Sequence, residues 1–241
     1  MRALRILLVV VVVLGGLFVL ADRLAVNFAE DEVADRLRTT ENLAATPDVS
    51  IKGFPFLTQV VGGELDDVEV GIQDYEAAGA EGRKIRIDDL EAHMKGVEFS
   101  GDYSSATASS ATGTASISYA ELLKTAASEP TEIGPATARV TGLADGGNGK
   151  IKVTVEVSAL GMKQTVPVLS TVTVEGDTVR VHADTLPSFG GVQAAEDQVR
   201  GITDFEQKID DLPGGIQLDK VETGQNGVNI SVKGSDVRLA G

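Results

Sequence analysis

The sequence contains no cysteine and no tryptophan, and only 4% of its 241 residues are aromatic. The absence of cysteine excludes disulfide bonds, thiolate zinc sites and cysteine nucleophiles. Because aromatic residues are scarce, the core has to be built mainly from Val, Ile, Leu and Ala, a composition that favours β-strands. A chain of this length, less an N-terminal targeting segment, suits one large β-rich domain or two small ones.

Basic residues are also in the minority, with 21 Lys and Arg against 36 Asp and Glu and a formal net charge of -15. Nucleic-acid binding depends on clustered Lys and Arg that neutralise phosphates, so we expect no nucleic-acid partner. The same acidity opposes broad electrostatic adhesion to anionic headgroups. Any contact with lipid must therefore be mostly apolar or very local.

The side chains that catalysis requires are few. The two histidines, His93 and His182, lie far apart in the chain and have no second ligand at metal spacing. No G-x-S-x-G elbow, Walker loop or H-E-x-x-H motif occurs. Adjacent acidic pairs such as Asp66-Asp67 point to opposite faces of a strand and cannot easily converge on one substrate atom. We therefore predict no catalytic residue, no metal site, no cofactor and no enzymatic activity, with an enzyme acting on envelope lipid or glycan as a lesser alternative.

Residues 6–21 form an unbroken apolar run that follows Arg2 and Arg5 and ends before Asp22. About sixteen residues at ~1.5 Å each span roughly 24 Å as a helix, short of the ~30 Å hydrocarbon core of a bilayer. The run is borderline between a cleaved signal peptide and a retained anchor, and we favour retention. Because the positive charges come first, residues 1–21 should leave the N-terminus in the cytoplasm and the rest of the chain outside.

The leader thus predicts a single-pass cell-membrane protein with an extracytoplasmic C-terminal domain. If the leader is cleaved, the same domain is released into the cell envelope instead.

Apolar residues recur at helical spacing over residues 22–40, directly after the leader. Most of this stripe is expected to pack on the core, and the functional interpretation is that part of it lines a lipid cavity. Two shorter segments, residues 119–127 and 193–211, also have helical spacing. Residues 104–118 are rich in Ser, Thr and Ala and suit an exposed strand.

After Pro47 the apolar period changes towards two, which indicates strands with one buried face. Glycine-rich turns such as residues 145–149 separate these strands and favour an antiparallel meander. No domain boundary is apparent, so we predict a single domain over residues 22–241. The alternating segments are residues 68–72, 85–87, 153–157, 172–174, 179–181 and 228–232.

Three features in a fixed order resemble the LmeA-like phospholipid-binding family of the bacterial envelope. The first is the leader followed directly by a helix. The other two are IKGFPFL at 51–57 followed by GG at 62–63, and DLPGGIQL at 211–218 followed by GV at 227–228. Each motif is short, and the specificity of the resemblance lies in their order and spacing over nearly the whole chain after the leader.

The resemblance implies an α+β fold that is mostly β, like that of the bactericidal/permeability-increasing protein. In such a fold a strongly curved antiparallel sheet is wrapped around a long N-terminal helix, here preceded by a transmembrane or signal segment, with lipid in the groove. It also implies phospholipid binding, and in at least one relative a supporting role in building envelope glycolipids. The expected partners are the acyl chains of phospholipid or glycolipid, together with the membrane that the N-terminal segment enters.

An acyl chain of ~16 carbons costs on the order of 12 kcal/mol to expose to water, so a carrier needs a nearly complete apolar lining. The residues predicted to supply it are large apolar side chains on the helix, on the IKGFPFL segment and on a glycine-rich loop: Val26, Phe28, Val33, Leu37, Phe54, Phe56, Leu57 and Phe189. Pro55 is expected to stiffen the turn that presents Phe54 and Phe56, the phenylalanines on either side of it. The alternative for this segment is that it plugs the end of the core.

The sequence therefore predicts a membrane-tethered extracytoplasmic protein that carries or sequesters phospholipid and supports envelope lipid or glycolipid homeostasis. The alternative is a β-sandwich interaction domain that recognises an envelope polymer or a protein partner. A sandwich would leave the helix of residues 22–40 outside its core, which distinguishes the two hypotheses.

Overall fold

The computed structural model describes residues 2–78, 84–102, 105–126, 130–133, 136–184, 200, 203–208 and 215–240. The helices are α1 (Arg2–Thr40), α2 (Phe56–Gly62) and α3 (Tyr119–Ala126). The strands are β1 (Asp48–Lys52), β2 (Glu64–Ala78), β3 (Lys84–Phe99), β4 (Ala106–Ser118), β5 (Thr131–Ile133), β6 (Ala136–Gly147), β7 (Lys150–Ala159), β8 (Met162–Glu175), β9 (Thr178–Ala183), β10 (Phe205–Lys208), β11 (Ile216–Thr223) and β12 (Gly227–Ala240).

Within the described residues the strands form two antiparallel sheets of six strands each. The first sheet has the order β1-β2-β3-β4-β12-β11, and the second has the order β10-β9-β8-β7-β6-β5. The first sheet therefore combines the N-terminal and C-terminal strands, and the second contains the strands between them. A mostly β fold with a long N-terminal helix and a curled, half-barrel antiparallel sheet confirms the predicted class.

The alternating segments all lie in strands, because a period of two places one row of apolar side chains on a single face. The strand predicted within residues 104–118 is confirmed as β4, but it is not an exposed strand. It pairs with β3 on one side and β12 on the other, and Ala108 and Ala111 are buried. Small side chains let this strand occupy the middle of the sheet.

The helix predicted over residues 22–40 is confirmed as the second half of α1, which continues from the leader without a break. By length and composition α1 is able to cross a membrane, a property that a signal sequence shares. The helix predicted over residues 119–127 is confirmed as α3. The short helix α2 was not predicted; it begins after Pro55 and is followed by Gly63, which adopts a left-handed conformation with a φ of 79°.

The helix predicted over residues 193–211 is wrong at its described C-terminal part. Arg200 and Thr203 are helical, but Phe205–Lys208 forms β10 and pairs with β9. The edge of β9 offers unpaired backbone groups, and Arg180 on β9 also donates to Glu206 at 3.3 Å. Strand pairing therefore prevails over the helical spacing. The remaining apolar residues of that pattern, Val199, Ile202 and Ile209, lie outside the described residues.

Two clusters of buried side chains pack against the inner face of the first sheet. The helix core joins α1 and α2 to one end of that sheet; its members are Val26, Ile51, Phe56, Leu65, Val97, Ala106 and Ala108. The sheet core joins the second sheet to the start of α3 and of β12; its members are Tyr119, Ala138, Val140, Ile151, Val153, Val155, Val168, Ala183 and Val228. The first sheet thus carries one core at each end of its long strands.

Asp22 fixes α1 to α2. Its carboxylate is fully buried, and Oδ1 accepts a hydrogen bond from the backbone N–H of Leu57 at 2.8 Å. Arg23 donates to the other oxygen at 2.6 Å. The N-cap residue of α2 is Pro55, which makes no side-chain cap, so Asp22 caps α2 from a different helix. A second carboxylate of α1, that of Glu30, accepts the N–H of Ile51 in β1 at 2.7 Å.

We expect the replacement of Asp22 to change how stability depends on pH. Burial alone would raise the pKa of this carboxyl, but hydrogen bonds from Leu57, Arg23 and Phe56 outweigh it and hold the pKa below its usual value. A carboxyl with a lowered pKa stabilises the fold above its unfolded pKa of ~4 and loses that contribution as the pH falls. The Tm difference between wild type and Asp22→Asn should therefore be largest near neutral pH and shrink towards about pH 3.

The control for this measurement is Glu32→Gln, because Glu32 pairs with Arg36 on the exposed surface of the same helix. Its Tm difference should be small at every pH, as expected of a surface ion pair. A gap for Asp22→Asn that stays constant over the titration would contradict the role assigned to the Asp22 carboxylate.

Truncation of the sheet core should lower stability. Val168 is only 1% exposed, and Val168→Ala should reduce the free energy of unfolding by about 2 kcal/mol through lost burial and a residual cavity. Urea unfolding followed by circular dichroism measures this change. Leu160→Ala is the control, because Leu160 is 91% exposed on the β7–β8 turn and should have almost no effect. Equal losses for the two variants would refute the assignment of the core.

Candidate functional site

An apolar strip crosses the inner face of the first sheet. Directly opposed residues on neighbouring antiparallel strands point to the same face, so the strand register shows which side chains lie together. Three rows run across β2, β3, β4 and β12: Val68, Met94, Ala111 and Gly234; Val70, Ala92, Gly113 and Val232; and Ile72, Leu90, Ala115 and Ile230. All twelve residues are apolar, and together they are called the apolar strip below.

The apolar strip connects the helix core to the sheet core. Val68 and Met94 pack against the helix core at one end, and Ile230 packs against the sheet core at the other. Side chains beyond the two ends are buried, as Leu65 and Val228 illustrate. Between the cores the strip is only half-buried; the half-buried members are Val70, Ile72, Leu90, Ala92, Gly113, Ala115, Ile230 and Val232.

The middle of the apolar strip is built from small residues. β4 contributes only Ala111, Gly113 and Ala115, and Ala92 lies next to Gly113 on β3. Larger aliphatic side chains flank them on β2 and β12. A Cβ atom placed on Gly113 would lie 3.0 Å from Cγ2 of Val232, so the neighbouring side chain already closes over this position. β4 therefore brings little side-chain volume to the middle of the strip, and this run of small residues along β4 is called the trough below.

The opposite face of the same strands is polar. Its side chains include Glu69, His93 and Thr112 in one row, and the Ser116 hydroxyl donates to Asn229 at 2.8 Å in another. Alternation in β4 explains both faces, because Ala111, Gly113 and Ala115 alternate with Thr and Ser. Sequence reasoning missed the trough, although this alternation of small apolar and hydroxyl side chains was a visible signal of it.

The structure brings three of the predicted lipid-contact residues together. Val26 and Phe56 are buried in the helix core, and Leu57 packs against them. This is the arrangement expected if the IKGFPFL segment plugs the end of the core. The three residues therefore lie at the end of the apolar strip marked by Val68 and Met94.

The other predicted residues lie apart from that cluster. Phe28 is 72% exposed, because two residues beyond Val26 a helix has turned by roughly 200°. Phe54 is 58% exposed, and its ring centroid lies 5.2 Å from the guanidinium carbon of Arg23. Val33 is exposed and Leu37 is half-buried near the end of α1. Phe189 lies outside the described residues.

His93 has closer polar neighbours than the sequence indicated. Ligand atoms of Asp67, Glu69 and His93 lie within 4.8 Å of one another, because β2 and β3 pair Glu69 with His93. Lys52 on β1 already places its Nζ 3.0 Å from Glu69, and this hydrogen bond raises the pKa of Lys52. Asp67, Glu69 and His93 thus belong to a surface ion-pair cluster in which the ammonium group of Lys52 is the cation.

His182 also has an acidic partner, Asp204, whose Oδ2 lies 2.7 Å from its Nδ1. The second ring nitrogen lies 3.5 Å from the Arg200 guanidinium. Asp204 also accepts the backbone N–H of Ala183 at 2.9 Å. The pair therefore secures the end of β9 to the segment that leads into β10.

Comparison with known proteins identifies the family. The sequence matches no curated protein. Among solved structures, the alignment with BcnA from Burkholderia cenocepacia covers 70% of this chain and 96% of the BcnA chain, with 12% sequence identity. The TM-score of this alignment is 0.19, which is too low to support an argument about fold. The profile of the LmeA-like phospholipid-binding family matches residues 20–233, from the end of the leader to the last strand, and the chain belongs to that family.

Proposed function

We propose that this protein is a membrane-tethered, extracytoplasmic lipid-binding protein that holds acyl chains of phospholipid or glycolipid on the apolar strip without transforming them. Such a protein carries or sequesters lipid and supports lipid or glycolipid homeostasis in the cell envelope. The observation that carries the proposal is the strip of twelve apolar residues between two filled cores, of which all but Ala111 are half-buried. Membership of the phospholipid-binding family supports it.

The strip has the chemistry that a hydrocarbon chain requires. Each methylene moved from water to an apolar surface gains ~0.8 kcal/mol, so a long chain needs a long lining with no polar groups in it. The rows of the strip present only Val, Ile, Leu, Met, Ala and Gly, whereas the outer face of the same strands is polar. Acyl chains fit this surface because the side chains of the strip carry no polar atoms. For the same reason the strip does not select a particular headgroup.

The tether is supported by the first half of α1. The large apolar side chains between Leu4 and Leu20 are all exposed, and none of the residues that the structure describes covers them. Their exposure to water would be costly, and a bilayer removes that cost. Arg2 and Arg5 before the span favour a cytoplasmic N-terminus, and this orientation supports the proposal that the β-rich part lies outside the cytoplasm.

The interaction-domain alternative required α1 to lie outside the core. Val26 is instead 4% exposed within the helix core, with Ala25 and Ala29 packed beside it. This contact favours lipid binding over the sandwich hypothesis.

We expect Ala115→Phe to block the trough. The new ring would occupy the space of about four methylenes and weaken binding of a long fluorescent fatty acid by ~3 kcal/mol, which corresponds to roughly 100-fold. Fluorescence titration measures the affinity of the full-length protein for the fatty acid, in a detergent that does not compete with the fatty acid for the strip. Thr114→Phe is the matched control, because Thr114 is the preceding residue of β4 and points to the outer face. Similar affinity of wild type and Ala115→Phe would refute the strip as the site.

We also expect the purified protein to contain lipid. Native mass spectrometry of wild type should show added masses that organic extraction removes and identifies. The Ala115→Phe variant should retain less of this lipid than Thr114→Phe does. A wild-type protein free of lipid and unable to take up the fluorescent fatty acid would overturn the proposed function.

A further inference from the structure

The segment of residues 53–63, called the α2 knob below, presents an uncharged surface in a strongly acidic protein. It contains no Asp, Glu, Lys or Arg, whereas 24% of the whole chain is charged. Phe54 is 58% exposed and Val61 is 89% exposed. Both side chains point away from the helix core, so they do not contribute to it.

The polar groups of the α2 knob are satisfied within the protein. The Thr58 hydroxyl donates to the carbonyl of Pro55 at 2.8 Å. The Gln59 side-chain oxygen accepts the N–H of Asp66 at 2.8 Å, which ties the knob to β2. Because these two polar side chains bond to nearby backbone groups, the exposed Phe54 and Val61 offer an apolar surface to an apolar partner.

The α2 knob lies at the level where the apolar run of α1 ends. Asp22, the first residue after the run, accepts the N–H of Leu57 at 2.8 Å, and the next residue, Arg23, lies over the ring of Phe54. α1 is one continuous helix from Arg2 to Thr40. The knob is therefore held at a fixed height beside the last turn of the run.

The length of the apolar run of α1 indicates that the α2 knob lies at the membrane surface. About sixteen residues span roughly 24 Å, some 6 Å less than the hydrocarbon thickness, so apolar groups just beyond the run are drawn to the interface. Leu24 continues the exposed apolar surface of α1 on its other side. Arg23 at this level is already paired with Asp22, and the net charge of the whole chain is -15, so apolar insertion is left as the attractive force.

We propose that the α2 knob docks the domain on the outer leaflet of the membrane from which α1 emerges, with Phe54 and Val61 inserted among the lipids. The inference rests on the proposed tether and adds an orientation to it. Leu57 and Val60 on the inner side of the knob pack against the helix core together with Val68 and Met94. The knob therefore lies between the bilayer and the end of the apolar strip that is nearer to the membrane.

The absence of tryptophan from the chain allows a direct test. Four full-length variants, Phe54→Trp, Val61→Trp, Leu20→Trp and Leu160→Trp, each carry a single fluorophore. They are reconstituted into phosphatidylcholine vesicles that contain lipids brominated along the acyl chain. We expect strong quenching at positions 20, 54 and 61 and almost none at position 160, on the exposed β7–β8 turn.

The outcomes separate the inference from the proposal beneath it. If position 20 is quenched but positions 54 and 61 are quenched no more than position 160, the tether stands and the docking is refuted. If position 20 itself is not quenched, the tether fails and the docking fails with it. Because two knob positions are tested and both are exposed, a folding defect in one variant leaves the other to decide.

Discussion

The register of four long strands determines most of what this protein presents to its surroundings. β2, β3, β4 and β12 pair so that every apolar member of one row meets an apolar member of the next. A shift of one residue in any of these pairings would exchange Ala, Gly and Val for Thr, Lys and Glu on the inner face. The apolar strip, the two cores at its ends and the polar outer surface all follow from this one alignment.

The contact between α1 and α2 depends on a different kind of interaction. Asp22 loses its water shell in the fold, which is favourable only because backbone N–H groups and Arg23 replace the lost hydrogen bonds. Apolar packing around Val26 holds the same helices together without specifying their relative height. The directional bonds of Asp22 fix that height, and the apolar contacts supply the bulk of the attraction.

The parts of the structure that sequence reasoning reached are those that depend on local periodicity. Alternation over residues 68–72 and 228–232, and the helical spacing after the leader, are properties of a single segment. β10 could not be found in this way, because Phe205 has helical spacing and becomes a strand only through its pairing with Val181. The proximity of Glu69 and His93 is likewise a product of pairing between distant segments.

The order of strands in the first sheet has a consequence for biogenesis. Ser116 and Asn229, which bond across β4 and β12, are separated by 113 residues of chain. One edge of β4 must therefore remain open until β12 has been synthesised, and contacts of such long separation form slowly. A nascent chain with an uncovered aliphatic surface and a free strand edge is prone to aggregation, so a holding chaperone would have its greatest effect on this protein in that interval.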